Sequence, residues 1–306
     1  MSALVELRAS TRFCAVYGHP VKHSASPAMH NPAIAALGLD WRYLACDVHP
    51  DRLREAIAGA QAMKFIGLNL TVPHKLLAVD IVDALDESAQ TWGAVNTVRF
   101  EAKDASGAWQ PLAKVNPDEV GELRSHGFNT DAGAITRSLR EDLGFEPRGG
   151  SVLLLGAGGA GRTAALKLAS DGVGSLFLVN RTASKAEEVA AEIRTRFPAV
   201  RVQAGWPDAD VDLVLNATSL GLKPGDGSPL DEMKFPLRRT RAVYDMIYRP
   251  AETPLLRAAR AAGCRIANGL GMLLYQGAKA LEIWTGRPAP VEVMRAALVK
   301  NIYGNA

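Results

Sequence analysis

Cysteine is scarce in this chain. Its three copies in 306 residues, Cys14, Cys46 and Cys264, are far apart, odd in number and never in C-x-x-C spacing. That usage argues against a disulfide framework and against a cysteine-held metal. A reducing compartment, the cytoplasm, fits it best. Long apolar runs are missing too, since stretches such as 152–160 fall well short of the ~20 residues that a bilayer span needs. Glu6, Arg8 and Arg12 stand where a secretion signal would place its apolar core, so no such signal is expected. Charge of one sign is equally wanting: 35 Lys and Arg against 32 Asp and Glu leave a net charge of +3, with no basic run, so a nucleic-acid partner is not expected. There is no internal repeat or low-complexity tract. What is present, 48% hydrophobic and 22% charged residues, is the composition of a globular protein, and the length predicts two domains.

The first hundred residues alternate short β-rich runs with helical ones. Strands are expected at 13–18, 42–48, 65–72 and 95–100, and helices at 27–37, 51–63 and 73–85. Ser26 reads as an N-cap with Pro27 at the first helical position. Such alternation predicts parallel strands joined by crossovers, with helices on both faces. Residues 101–126 are polar and punctuated by Gly107, Pro111, Pro117 and Gly121, which suggests an extended hairpin or loop. A second β/α series follows a helix at 131–143. Its strands are expected at 151–155, 175–179, 212–216 and 242–246 and its helices at 162–170 and 184–197, with Ser184 and Glu187 forming a capping box. The C-terminal part reads as helices at 254–262, 272–284 and 290–302.

The run Gly156-Ala157-Gly158-Gly159-Ala160-Gly161 matches G-x-G-x-x-G between an apolar strand and an Ala/Leu-rich helix, the context that gives the motif its meaning. The first glycine allows the tight turn, the second lets a pyrophosphate approach the backbone, and the third lets helix and strand pack closely. About 20 residues on, NAD sites carry an acidic residue for the ribose 2′-hydroxyl. Here Asn180, Arg181 and Thr182 occupy that place, with Lys185 one turn later. Arg181 and Lys185 suit a 2′-phosphate, which Asp or Glu would repel, so NADP is expected over NAD.

Four loop motifs supply the remaining chemistry: residues 18–31, 67–75, 93–97 and 129–131. Each lies near the C-terminal end of an expected strand or the start of a helix, where open α/β sheets bind ligands. Ser24 and Ser26 beside a helix N-terminus can receive a carboxylate, while Thr71, Asn96 and Asp131 can pair with ring hydroxyls. The inventory suits a small polyhydroxylated acid. Lys75 is the group most able to move a proton, although a lysine in the first turn of a helix reads equally as a solvated charge. His19, His23 and His30 sit in a Gly/Pro-rich loop without ligand spacing, so no metal is expected.

Taken in order, HSASPAMHN (23–31), NLTVPHK (69–75), GAVNT (93–97), NTD (129–131), GAGGAGR (156–162), NRT (180–182), NATSLG (216–221), DMIYRP (245–250) and NGLGMLLYQGA (268–278) resemble the shikimate dehydrogenase family over almost the whole chain. The resemblance implies an α/β protein of two domains. Residues 1–130 with 269–306 would form a substrate domain with a mostly parallel sheet, and 131–268 a Rossmann-like NADP domain, the active site lying in the cleft between them. It implies reversible reduction of 3-dehydroshikimate to shikimate by NADPH, on the way to chorismate and aromatic amino acids. By motif position, Lys75 and Asp131 would be the catalytic pair. Ser24, Ser26 and Tyr248 would serve the substrate carboxylate, and Thr71, Asn96 and Gln276 the ring hydroxyls and carboxylate. Gly156, Ala157, Gly158, Gly159, Ala160, Asn180, Arg181, Thr182, Lys185, Met246 and Gly269 would line NADP. The resemblance extends to a quinate/shikimate or aminoshikimate dehydrogenase, and more remotely to a non-catalytic NADPH-binding regulator; Ser26, Lys75 and Asp131 favour the shikimate enzyme. Monomer and homodimer both remain open. Leu70, His74 and Lys185 depart mildly from the family pattern, and 101–126 is longer than the hairpin expected there.

Overall fold

The computed structural model describes residues 7–304. Two compact units divide the chain, one running to Asp131 and resuming at Gln276, the other spanning Ala132–Tyr275.

In the first unit the elements are β1 (Arg12–Gly18), α1 (Ser26–Ala36), β2 (Trp41–Asp47), α2 (Leu53–Ala62), β3 (Gly67–Leu70), α3 (His74–Leu77), β4 (Ala84–Leu85), α4 (Glu87–Trp92), β5 (Thr97–Lys103), β6 (Trp109–Pro111) and β7 (Leu123–Phe128). The sheet order is β2-β1-β3-β5-β7-β4, with β6 paired to β5. Strands β1, β2 and β3 run parallel, as expected, but β5 is antiparallel to β3, β6 and β7. The cause is legible in β5 once its register is known. Val98, Phe100 and Ala102 enter the core against Leu53, Ile57 and Ala60, while Arg99 and Glu101 alternate with them. Half-polar alternation of this kind belongs to antiparallel pairing.

Residues 73–85 do not form the single helix expected. Asp83 accepts from both the backbone N–H (2.7 Å) and the hydroxyl (2.8 Å) of Ser125, and its own N–H donates to Ser125 Oγ. These bonds draw the segment into the sheet as β4, beside β7. Asp86 then caps α4, a helix the sequence pattern did not reveal. The long 101–126 segment is the β5–β6 hairpin, a short irregular stretch and the start of β7.

The second unit holds most of α5 (Asp131–Leu143), then β8 (Ser151–Leu155), α6 (Gly159–Ser170), β9 (Ser175–Val179), α7 (Ala183–Arg196), β10 (Arg201–Ala204), β11 (Val211–Asn216), β12 (Thr240–Asp245), α8 (Pro254–Ala261) and β13 (Arg265–Asn268). All six strands are parallel in the order β10-β9-β8-β11-β12-β13. This is the doubly wound arrangement that binds dinucleotides where the strand order reverses, here between β8 and β11. Strands β10 and β13 escaped the sequence reading because they are short, partly exposed edges without a continuous apolar run. The capping box at Ser184 does not form: α7 starts at Ala183, and its N-cap, Thr182, makes no side-chain bond.

Two helices end the fold, α9 (Leu270–Thr285) and α10 (Val291–Tyr303). The buried Trp284 of α9 donates from Nε1 to the carbonyl of Val98 at 2.9 Å. Gly67 makes this possible, since a Cβ there would stand 2.2 Å from that nitrogen. Among the described residues no helix is long and apolar enough to cross a membrane.

Candidate active site

In the first unit the Lys75 ammonium, on the second residue of α3, donates to Asp131 Oδ2 at 2.7 Å. Both side chains are largely shielded, 32% and 14% exposed. Asp131 opens α5 immediately after the buried Asn129 and Thr130. Thr130 donates its backbone N–H to Asn96 Oδ1 at 2.8 Å, which fixes the orientation of that amide, and Asn96 Nδ2 donates to Thr130 Oγ1 at 2.9 Å. One strand over, Asn69 donates to the Asn96 carbonyl and to Thr97 Oγ1, and accepts from the Tyr43 hydroxyl at 2.7 Å. A buried polar row of Tyr43, Asn69, Thr97, Asn96 and Thr130 thus lies on the strands beside the Lys75–Asp131 pair. Such satisfied networks hold a site rigid, because each lost bond would leave a buried group unpaired.

The serines sit at the head of α1. Ser26 is its first residue and not its cap, which is Ala25. The Ser24 hydroxyl oxygen accepts the Ser26 N–H at 3.3 Å. Thr71 packs so tightly on Gly18 that a Cβ on that glycine would lie 2.4 Å from the threonine methyl. Gln276 precedes Gly277, where a Cβ would meet Met29 Cε at 2.1 Å and His30 Nε2 at 3.2 Å, so α9 packs closely on α1 at the residue after Gln276. His74, beside Lys75, is buried, and burial lowers its pKa, so it fills its site as a neutral ring. Tyr248 belongs to the other unit, in the loop after β12.

In the second unit the glycine turn makes two close approaches. Gly156 has φ +104°, and a Cβ at Gly161 would be 2.0 Å from the Gly156 carbonyl oxygen. Gly158 is the N-cap of α6 and offers no side-chain cap, which leaves the first N–H groups of the helix to an external anion. Asn180 Oδ1 accepts the Ala157 N–H at 3.0 Å, tying the end of β9 to the turn. A cavity of about 610 Å³ opens here, lined in part by Gly156, Gly158, Asn180, Arg181, Thr182 and Lys185. Ala157, Gly159 and Ala160 belong to the same turn. Met246 and Gly269 follow β12 and β13, and a Cβ on Gly269 would lie 2.0 Å from the Met246 carbonyl oxygen. Among the described residues no cluster of three or more His, Cys, Asp or Glu could hold a metal.

Models of the shikimate dehydrogenase substrate-binding domain, of shikimate/quinate 5-dehydrogenase and of the shikimate 5′-dehydrogenase C-terminal domain match residues 16–98, 141–219 and 269–299. The chain is similar to the shikimate dehydrogenase (NADP+) of Methanopyrus kandleri, with 40% identity over 99% of this chain and all of that one. The chain belongs to the shikimate dehydrogenase family. Among solved members, a shikimate dehydrogenase in complex with NADP+ is 35% identical, with a TM-score of 0.81 over 97% of this chain and 98% of that one. A 5-ketofructose reductase of Gluconobacter sp. strain CHM43 is 34% identical, with a TM-score of 0.79 over 96% of this chain and 100% of that one. Against this family background, the cavity wall formed by Ala217, Thr218, Ser219, Leu220 and Pro229 was given no role by sequence reasoning. The signal for most of it was the NATSLG run itself. Tyr43 carried no signal, being one aromatic among the apolar residues of β2.

Proposed function

We propose that this protein catalyses the reversible, NADPH-dependent reduction of 3-dehydroshikimate to shikimate. The observation that carries the reading is the 2.7 Å Lys75–Asp131 pair set beside the Asn96 and Thr130 amide–hydroxyl network. Family membership, the curated name of the relatives and the basic pair Arg181 and Lys185 support it.

We assign the substrate to the first unit and the cofactor to the second. Bound NADPH supplies a hydride to the ketone carbon. Lys75, as an ammonium, meets the negative charge that grows on the ketone oxygen and gives it a proton. Asp131 holds one N–H of Lys75 and accepts from the hydroxyl that forms. Ser24 and Ser26 at the head of α1 receive the carboxylate, while Thr71, Asn96 and Gln276 orient the ring oxygens. The glycine turn and the N-terminus of α6 fit a pyrophosphate, Arg181 and Lys185 a 2′-phosphate, and Met246 with Gly269 the nicotinamide half.

The test is steady-state oxidation of shikimate and of quinate with NADP+ and with NAD+, together with reduction of 5-ketofructose. The last substrate is included because the likeness to 5-ketofructose reductase favours a second reading, a ketose held by the same residues. Shikimate with NADP+ is expected to give the highest kcat/KM; a higher value with either other substrate would overturn the assignment. Arg181→Ala is expected to raise KM for NADP+ about tenfold and to leave KM for NAD+ unchanged, since the lost charge-assisted bonds reach only the 2′-phosphate.

A further inference from the structure

Among the described residues of the second unit, Asp245 is the one acidic side chain that is fully buried. It ends β12, flanked by Asn216 at the end of β11 and Asn268 at the end of β13. Three donors converge on it. Asn216 Nδ2 (2.9 Å) and the Ile247 N–H (3.0 Å) reach Oδ1, and the Thr253 hydroxyl (2.6 Å) reaches Oδ2.

The direction of every bond is set from outside. Asn216 Oδ1 accepts from the Thr218 N–H and hydroxyl, which turns the NH2 of Asn216 toward Asp245. Ile247 donates from the backbone. Thr253 Oγ1 accepts the Leu256 N–H as the N-cap of α8, which leaves its own proton for the carboxylate. A protonated acid would set its proton against these donors, so the arrangement suits the anion. Burial pushes the carboxyl above its ordinary range and the three bonds oppose that rise; no cation contributes. The result is a buried negative charge held by dipoles alone.

Its place in the sheet gives the charge a direction of action. Doubly wound folds bind the two nucleotide halves on the two sides of the switch point. Arg181 and Lys185 mark the β8–β9 side as that of the adenosine 2′-phosphate, so the β11–β12 side takes the nicotinamide riboside. The nicotinamide ring is cationic in NADP+ and neutral in NADPH. We propose that Asp245 is a built-in counter-charge for the oxidised nicotinamide, tightening NADP+ relative to NADPH and so making the bound reduced cofactor a stronger hydride donor. The inference rests on the NADP reading above and adds a redox bias that the glycine turn and the basic pair do not supply. The bonds through Asn216 to Thr218 and through Ile247 to the loop holding Met246 also give Asp245 a positioning role, and the test separates the two.

Dissociation constants for NADP+ and NADPH are measured separately on the unmodified protein, on Asp245→Asn and on Asp245→Ser. The amide is close in size to the acid and its oxygen keeps the bonds from Asn216 and Ile247, so Asp245→Asn loses the charge and, of the three bonds, only the one from Thr253. The expected result is about fivefold weaker NADP+ binding with NADPH binding changed less than twofold, the mark of a lost charge acting through a low-dielectric interior. Equal weakening of both forms would reduce Asp245 to a scaffold residue, and no change in either would remove the role altogether; each overturns the proposal. If thermal melting shows that Asp245→Asn does not fold, the same comparison on the smaller neutral Asp245→Ser decides. An unmodified protein that binds neither form would overturn the NADP reading itself, and the role of Asp245 with it.

Discussion

Lys75→Ala is expected to lower kcat for shikimate oxidation about 1000-fold while KM for shikimate changes only a fewfold and NADP+ affinity stays as it is. Two contributions are lost together: a proton donor and acceptor at the reacting oxygen, and the positive charge that stabilises that oxygen as hydride is exchanged. Each is worth roughly 10²- to 10⁴-fold in comparable sites. A fall in kcat and kcat/KM of similar size would show that the lost interaction is made in the transition state. The fold should survive, because Lys75 is bound to its surroundings through its backbone as well: its carbonyl accepts the Val95 N–H at 2.8 Å. Asp131→Asn retains the length of the partner and loses its charge, so a smaller fall in kcat is expected there. An alanine variant within tenfold of the unmodified enzyme would remove Lys75 from the chemistry.

The largest expected effect on stability lies at Glu101. This carboxylate is 1% exposed and is met by Arg99, by Arg124 at 2.7 Å and by His126 at 3.2 Å. Burial alone would raise its pKa, but the bonds from His126, Arg124 and Arg99 outweigh burial and hold it at about 2. Glu101→Ala leaves two guanidinium groups without their anion on the sheet, a loss of about 3–5 kcal/mol. Thermal denaturation is expected to show a midpoint about 10 °C lower, scaling that loss for a chain of this size. Acid sensitivity has a definite sign. A carboxyl whose folded pKa is depressed stabilises fully above its unfolded value, near 4.5, and that stabilisation fades as pH falls toward about 2. Urea midpoints measured from pH 6 down to pH 2.5 should therefore fall for the unmodified protein, and more shallowly for Glu101→Ala. The site gives the 101–126 segment a physical purpose, since Arg124 stacks on Trp109 of the hairpin at 4.4 Å while binding Glu101.

How far the sequence alone reached depended on whether local chemistry or distant partners set each element. Strands β8 and β9 and helix α5 were placed by their own apolar pattern and by flanking glycines, which act within a few residues. The glycine turn was legible for the same reason: Gly156 and Gly161 answer to contacts within one turn of chain. Residue chemistry singled out Lys75, Asn96 and Asp131 one by one, and only the family resemblance paired Lys75 with Asp131, because their convergence depends on β3, β5 and β7 lying side by side. The helix expected at 73–85 failed because Ser125, some forty residues away, captures Asp83. Ser26 was read as a cap because serine before proline usually is one; here the helix begins one residue earlier. Tyr43 and Glu101 were invisible as functional or structural centres, since nothing near them in sequence hints at Asn69 or Arg124.

Helix α9 carries the chain out of the second unit at Tyr275 and back into the first at Gln276. The second unit is therefore one unbroken stretch of chain, whereas the first is made of two pieces that are translated more than 140 residues apart. During synthesis the nucleotide-binding half can complete its core while the earlier-made sheet still waits for Trp284, Met294 and Leu298 to leave the ribosome. A released chain that ends at Tyr275 should thus protect 132–275 from protease and leave the first sheet open to it. The order in which the two halves mature is reversed from the order in which they are begun.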